Sequence, residues 1–243
     1  LSQDITNISK IIATAAANIF KVAYLRALAK TTLDWDFAQR KGAVPSVSLY
    51  SWLKQPQEIC MSLVPITYNE SPPMDTLVVC TLVRMTAPHA VFEFGTFTGL
   101  TTLCMAMNTG ADTHIWTLDL PPSIRQDLES GRGIDDTVIN SLWRNSPFSD
   151  RITQVYADSR ALDTAPYAQK MNFIFVDAGH EYEFVVNDSK KAFEMLAPGG
   201  MIVWHDYARG CPGVQQCLDE LAQSKSLYHL EGTQLVVYRD GQS

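Results

Sequence analysis

The chain has 243 residues, 46% of them hydrophobic and 19% charged, which suits one sizeable globular α/β domain with an extension. A formal charge of -7 and a pI near 5.2 argue against a broad nucleic-acid footprint, which is basic. No apolar run reaches the ~20 residues that a membrane span needs: residues 11–20 include Asn18 and lie between Lys10 and Lys21. Neither a nucleic-acid nor a membrane partner is expected.

In chain order, residues 5–31 read as a helix, with Ile5, Ile8, Ile12, Ala15, Ile19, Val22 and Leu25 at a spacing of three to four. Residues 32–72 are irregular and punctuated by Pro45, Pro56, Pro65 and the pair Pro72-Pro73, with a short helix expected around 48–53. A helix over 75–85 starts just after the proline pair. Strands then alternate with helices. Strands are predicted at 90–94, 114–118, 152–156, 172–176 and 201–204, and helices at 100–107, 134–144, 182–196 and 214–222. Two strands close the chain at 227–231 and 234–239. Such alternation implies right-handed crossovers and a mostly parallel, Rossmann-like sheet with helices on both faces, closed by an antiparallel C-terminal strand. We expect residues 1–70 to form a helical extension, serving as a lid or as the contact in a homodimer or higher homo-oligomer, and residues 71–243 to form the main domain. The five cysteines include no CxxC pair. Cys80 and Cys104 fall in apolar helical patterns, so a reduced, cytoplasmic setting is the simplest reading.

The most informative stretch is Val91-Phe-Glu-Phe-Gly-Thr-Phe-Thr-Gly99. An apolar strand runs through Glu93 into a turn bearing Gly95, Thr96, Phe97 and Gly99, and a helix follows. Gly95 can take φ > 0 and admit a ligand close to the backbone, and free N–H groups open the helix. A dinucleotide fingerprint has the form G-x-G-x-x-G; here the glycines fall as G-x-x-x-G. Ligands of open α/β sheets bind beyond the carboxyl ends of the strands, and in this chain those ends are polar in series: Glu93, Asp119, Asp158-Ser159, Asp177 with His180, and His205-Asp206. Asp119 suits a ribose diol, since a carboxylate offers two acceptor oxygens; the competing reading is a helix N-cap. Asp158 and Ser159 suit an adenine ring, or alternatively an Asx turn.

Residues 71–239 resemble the class I S-adenosylmethionine (SAM)-dependent methyltransferases. They are nearest to the small-molecule O-methyltransferases of the catechol and caffeoyl-CoA type and to bacterial relatives acting on sugars and antibiotics. The resemblance rests on the E-x-G-x-x-x-G turn, Ser71-Pro-Pro, Ala157-Asp-Ser, Phe175-Val-Asp-Ala-Gly-His-Glu-Tyr, Leu196-Ala-Pro-Gly-Gly-Met-Ile-Val-Trp-His-Asp-Tyr and Gly232-Thr-Gln-Leu-Val-Val-Tyr-Arg. It implies that Glu93, Gly95, Thr96, Phe97, Gly99, Asp119, Asp158 and Ser159 bind SAM, and that a methyl group passes to a small-molecule acceptor, at a hydroxyl.

In metal-dependent members of that group, an aspartate after the fourth strand and two polar residues after the fifth hold a divalent cation. The matching residues are Asp177, His205 and Asp206. His205 replaces an acid usual in the family, which leaves open whether the ion is Mg or a transition metal. The alternative is a hydrogen-bonded His205-Asp206 pair that shapes the pocket without metal. The catechol-type enzymes place a lysine three residues after the metal aspartate, where this chain has His180; some sugar-modifying relatives place an acid two residues after it, where this chain has Gly179. His180 is therefore the candidate general base, with Asp177 beside it as the second catalytic residue, and a helix-capping role is its alternative reading. Two other functions fit less of the pattern: a nicotinamide-dependent oxidoreductase, and a non-catalytic SAM-binding protein.

Overall fold

A computed structural model describes residues 42–62, 71–121, 124 and 141–241. The helix expected over 5–31, and most of the one expected over 134–144, lie outside the described residues; of the latter, α3 (Ser141–Arg144) is seen. The remaining helices are α1 (Pro73–Thr86), α2 (Leu100–Met107), α4 (Tyr182–Met195) and α5 (Pro212–Leu221). The strands are β1 (Ser46–Val47), β2 (Ala90–Phe94), β3 (His114–Asp119), β4 (Ile152–Tyr156), β5 (Met171–Val176), β6 (Leu196–Trp204), β7 (Leu227–Leu230) and β8 (Val236–Arg239).

Among the described residues the strands form one sheet in the order β1-β7-β8-β6-β5-β2-β3-β4. Neighbours from β4 to β6 run parallel, while β8 is antiparallel to both β6 and β7. The chain starts the parallel block at β2, winds outward through β3 and β4, then returns to the other side of β2 with β5 and β6. The strand order therefore reverses between β2 and β5, and it is at such a point that the crossover helices diverge and leave a crevice.

The central strands are buried on both faces, as expected of a parallel sheet covered by helices. On one face Phe92, Phe94, Ile174, Val176, Ile202 and Trp204 pack against α4 and α5. On the other, Val91, Phe173, Phe175, Met201 and Val203 pack against α1 and α2. Alternate residues of one strand thus feed two cores, and each fully buried large side chain contributes about 1.5–3 kcal/mol. α1 begins with Pro73 at a position where its missing N–H costs nothing. It ends at Ala87, in the left-handed conformation at φ 44, just before Pro88.

Three elements depart from the sequence reading. β1 pairs with β7 through Ser46 opposite His229 and Val47 opposite Leu230, so part of the segment before residue 70 joins the sheet edge. The short helix expected at 48–53 is a 3-10 turn over Leu49–Ser51, capped by Ser48. β6 also starts at Leu196 and not near Met201. Pro198-Gly199-Gly200, which reads as a turn, is an irregularity inside the strand, because the register jumps between the Met171–Leu196 and Phe173–Met201 pairs.

Candidate active site

The glycine turn is built by its neighbours on both sides. The Gly95 amide donates to Leu118 O of β3 at 2.8 Å, and the Asp177 amide donates to Phe94 O at 2.8 Å. The turn is therefore clamped between β3 and β5, over the reversal point. Gly95 has φ +92, and a Cβ there would lie 1.9 Å from the Asp177 carbonyl oxygen. Glycine is demanded here by the adjacent strand end, before any ligand is considered. Phe97 takes φ 47 and Gly99 φ 83, and Gly99 opens α2 beneath Trp143, whose Cδ1 would stand 2.4 Å from an added Cβ. Left-handed residues thus alternate through the turn, at Gly95, Phe97 and Gly99.

Beneath the turn lies a buried polar chain. The Gln154 side-chain amide donates to Thr96 Oγ1 at 2.9 Å, Thr96 and Thr117 share a hydrogen bond of 2.7 Å, and Thr117 donates to Glu93 Oε2 at 2.6 Å. Thr102 donates to the same Glu93 oxygen. Glu93 is 1% exposed. Burial pushes its carboxyl up to about 8, although both threonine hydroxyls pull it down. The structure thus sets Glu93 under the turn as a support. Asp119 sits beside it at the end of β3, where Oδ2 accepts from the Thr96 and Phe97 amides at 3.3 and 2.9 Å and Oδ1 accepts from Leu120 N at 2.8 Å. Its carboxylate binds the turn's own backbone.

The ends of β5 and β6 carry the second group. Asp177, His205 and Asp206 present one ligand atom each, all within 4.8 Å of one another. His205 Nδ1 lies 3.4 Å from Asp177 Oδ1 and 3.2 Å from Asp206 Oδ1, yet it is buried and makes no aligned hydrogen bond among the described residues. Burial of the ring lowers its pKa, but the Asp177 and Asp206 carboxylates outweigh that and hold it well above the usual value. For Asp206, burial raises the pKa, but the charge of His205 and the hydrogen bond from His180 hold it far below the usual carboxylate range. Asp206 also stands at φ 60, a left-handed conformation uncommon outside glycine, though best tolerated by Asn and Asp. Ser71 donates to Asp177 Oδ2 at 3.2 Å.

His180 lies at the rim. Its Nε2 is 2.7 Å from Asp206 Oδ2, and its side chain is half exposed. The hydrogen bond to Asp206 raises its pKa above 6.5 against the effect of burial. The chain approaches α5 closely here, since a Cβ on Gly213 would meet the His180 carbonyl oxygen at 2.5 Å. Asp206 therefore offers one oxygen to each imidazole, Oδ1 to His205 and Oδ2 to His180.

Other residues take structural roles. Asp158 caps the 3-10 turn Ser159–Ala161 by accepting from Arg160 N at 2.8 Å, and it also pairs with the Arg160 guanidinium, which holds its pKa low. Asp158 thus forms an Asx turn through the Arg160 amide. Trp204 and Tyr207 are core residues: the indole N–H donates to Ser189 at 2.9 Å, and the Tyr207 hydroxyl donates to Asp219. His229 is buried between Ser46 and the Thr233 carbonyl, and His89 is an exposed partner of Asp112.

Sequence reasoning missed Asp75. This carboxylate in the first turn of α1 is 2% exposed and lies 3.0 Å from His205 Nε2. An acid there reads as a helix-dipole partner, and only tertiary folding brings it to a histidine 130 positions away.

The comparisons agree with this geometry. A family model described as a methyltransferase domain matches residues 92–207, the span from the glycine turn to the His205-Asp206 pair. No curated protein matches the sequence. Among solved structures, cofactor-bound Rv0187 from MTB is 17% identical, with 73% of this chain and 84% of that one covered and a TM-score of 0.55. The SAH-bound methyltransferase PaMTH1 of Podospora anserina is 15% identical, with 72% and 80% covered and a TM-score of 0.54. An O-methyltransferase from Bacillus cereus in complex with SAH is 14% identical, with 72% and 84% covered and a TM-score of 0.50. At these identities the structures share the fold. The domain match runs over the glycine turn and both strand ends, so residues 92–207 are a methyltransferase domain, and the solved structures share its Rossmann-like fold.

Proposed function

We propose that the protein methylates a hydroxyl of a small-molecule acceptor, with a divalent cation held by Asp177, His205 and Asp206 and with His180 as the base. One observation carries this reading: two carboxylates converge on a buried imidazole nitrogen, which makes no aligned hydrogen bond among the described residues, at the ends of β5 and β6, one strand from the glycine turn. Atoms bound about 2.1 Å from a common ion stand roughly 3.0–3.4 Å apart, and the Nδ1 separations of 3.2 and 3.4 Å fit that spacing. That the neighbour from Bacillus cereus is named an O-methyltransferase supports the choice of oxygen.

SAM, when bound, supplies a sulfonium methyl, and the cation supplies a Lewis acid that lowers the pKa of the acceptor hydroxyl. The chain's own residues do the rest. The turn at Gly95, Thr96, Phe97 and Gly99 would admit the cofactor close to its backbone at the two glycines, its own amides being held by Leu118 O, Asp119 and Thr96 O. Asp119 holds that turn in shape and presents carboxylate oxygens toward the ribose, and Glu93 supports both from below. We assign the adenine end to the neighbourhood of Asp158 and Ser159. His180 directs Nε2–H to Asp206 Oδ2, leaving Nδ1 to take the hydroxyl proton, and Asp206 steadies the imidazolium that results. Much of the rate comes from holding methyl and oxygen in line.

The test supplies methyl-labelled SAM with a panel of hydroxyl-bearing small molecules, with and without a chelator. We expect a base-stable methyl ether whose formation stops on chelation and resumes with added divalent ion. Label in a base-labile ester or on nitrogen, or a rate indifferent to chelation, contradicts the reading.

A further inference from the structure

We propose that Asp75 is a positioning residue that fixes which nitrogen of His205 faces the Asp177–Asp206 pair, and that it thereby tunes the site toward a transition metal and away from magnesium. This rests on the cation reading above and extends it to a residue that touches neither cofactor nor acceptor.

His205 and Asp75 are 6% and 2% exposed, so neither is free to choose a partner from solvent. Asp75 Oδ2 lies 3.0 Å from His205 Nε2 and also accepts the Gln234 amide at 3.2 Å. One oxygen of α1 is thus tied to the end of β6 and to the turn leading into β8. Phe175 packs edge-on to the imidazole, with centroids 6.3 Å apart, and limits its rotation. With an ion on Nδ1 the ring carries one proton, and because a carboxylate only accepts, that proton belongs on Nε2 toward Asp75.

Nδ1 is the atom that makes no aligned hydrogen bond although it is buried. It faces Asp177 Oδ1 at 3.4 Å and Asp206 Oδ1 at 3.2 Å. A proton on Nδ1 would point cleanly at neither oxygen, whereas a lone pair there completes a nitrogen-and-two-oxygen set around a shared centre. A carboxylate behind a ligating histidine fixes its tautomer and raises its basicity, and an imidazole ligand favours zinc, cobalt, nickel or iron over magnesium.

The test loads full-length protein with zinc and reads the His205 ring by nitrogen-15 NMR, then titrates cobalt(II) and magnesium into wild type, Asp75→Leu and Asp75→Asn with S-adenosylhomocysteine present. We expect the proton on Nε2, the ion on Nδ1, and cobalt bound more tightly than magnesium. Asp75→Leu should weaken cobalt binding ~10–100-fold while S-adenosylhomocysteine affinity stays near wild type. Asp75→Asn, which keeps an acceptor oxygen and controls for folding, should lose less. A merely structural role would lower thermal stability in Asp75→Leu and leave the metal-bound nitrogen and the ion preference unchanged. An ion on Nε2, cobalt affinity unchanged in Asp75→Leu, or a preference for magnesium overturns the inference while leaving the cation site standing. If wild type binds no divalent ion at all, the cation reading fails and this inference fails with it.

Discussion

The two halves of the site handle their acids differently. At the ends of β2 and β3, Glu93 and Asp119 receive hydrogen bonds from neutral donors: threonine hydroxyls for Glu93, backbone amides for Asp119. At the ends of β5 and β6, Asp177 and Asp206 face imidazoles, and His205 is backed by a third carboxylate, Asp75. The first half is a shaped backbone surface whose acids maintain its form. The second concentrates charge around two titratable rings. The difference matches the two reactants of the proposed reaction. A cofactor bound through many polar atoms needs a fixed contour, whereas a hydroxyl that must lose a proton needs a base and an electrostatic centre.

If that division holds, a substitution in one half should leave the other's function intact. The largest separation is expected at His180. Replacing it with Gln should slow methyl transfer roughly 10²–10⁴-fold, with SAM affinity by calorimetry little changed. Near wild-type turnover would move the base role elsewhere.

Next in size is a pH effect from Glu93. Its folded pKa of about 8 lies above the ordinary value of 4.5, so the folded protein holds a proton that the unfolded chain releases. Stability should therefore fall as pH rises from about 4.5 to 8 and level off above that, by roughly 3–5 kcal/mol for a shift of this size. Glu93→Gln should flatten the contribution in chemical denaturation across that window. An unchanged slope would mean that Glu93 is not the proton holder.

Asp119→Ala should weaken SAM binding by about 1.5–3 kcal/mol without altering divalent-ion binding. A loss of ion affinity in the same variant would show that the halves are coupled. The smallest effect is expected at Asp158, already engaged by Arg160. Its replacement by Ala should change SAM affinity by less than about 1 kcal/mol, and a larger loss would restore a direct adenine contact.

The sequence was most legible where one strand or turn carries its own signal. β2 and β4 fall at the expected residues, because apolar runs bounded by turns define them locally. The strand ends that make up the site could likewise be read from residue type and chain order. What could not be read depends on contacts between distant segments. β1 is two residues long and exists only because β7 offers an edge. The steric reason for Gly95 is a carbonyl on β5. Pro198-Gly199-Gly200 carries local marks of a turn, yet it lies inside β6, between Leu196 and Met201, which pair with β5 on either side of it. Asp75 has no signature at all without the fold that sets it against His205.

The β5–β6 end is thus proposed as an ion-centred acceptor half, separable from the cofactor half. A calorimetric titration of cobalt(II) into protein saturated with S-adenosylhomocysteine, run on wild type and on His205→Ala, tests it most directly. About one ion per chain should bind in wild type, and in the variant ion binding should be lost with S-adenosylhomocysteine affinity retained. Ion binding undiminished in His205→Ala, or none in wild type, would contradict it.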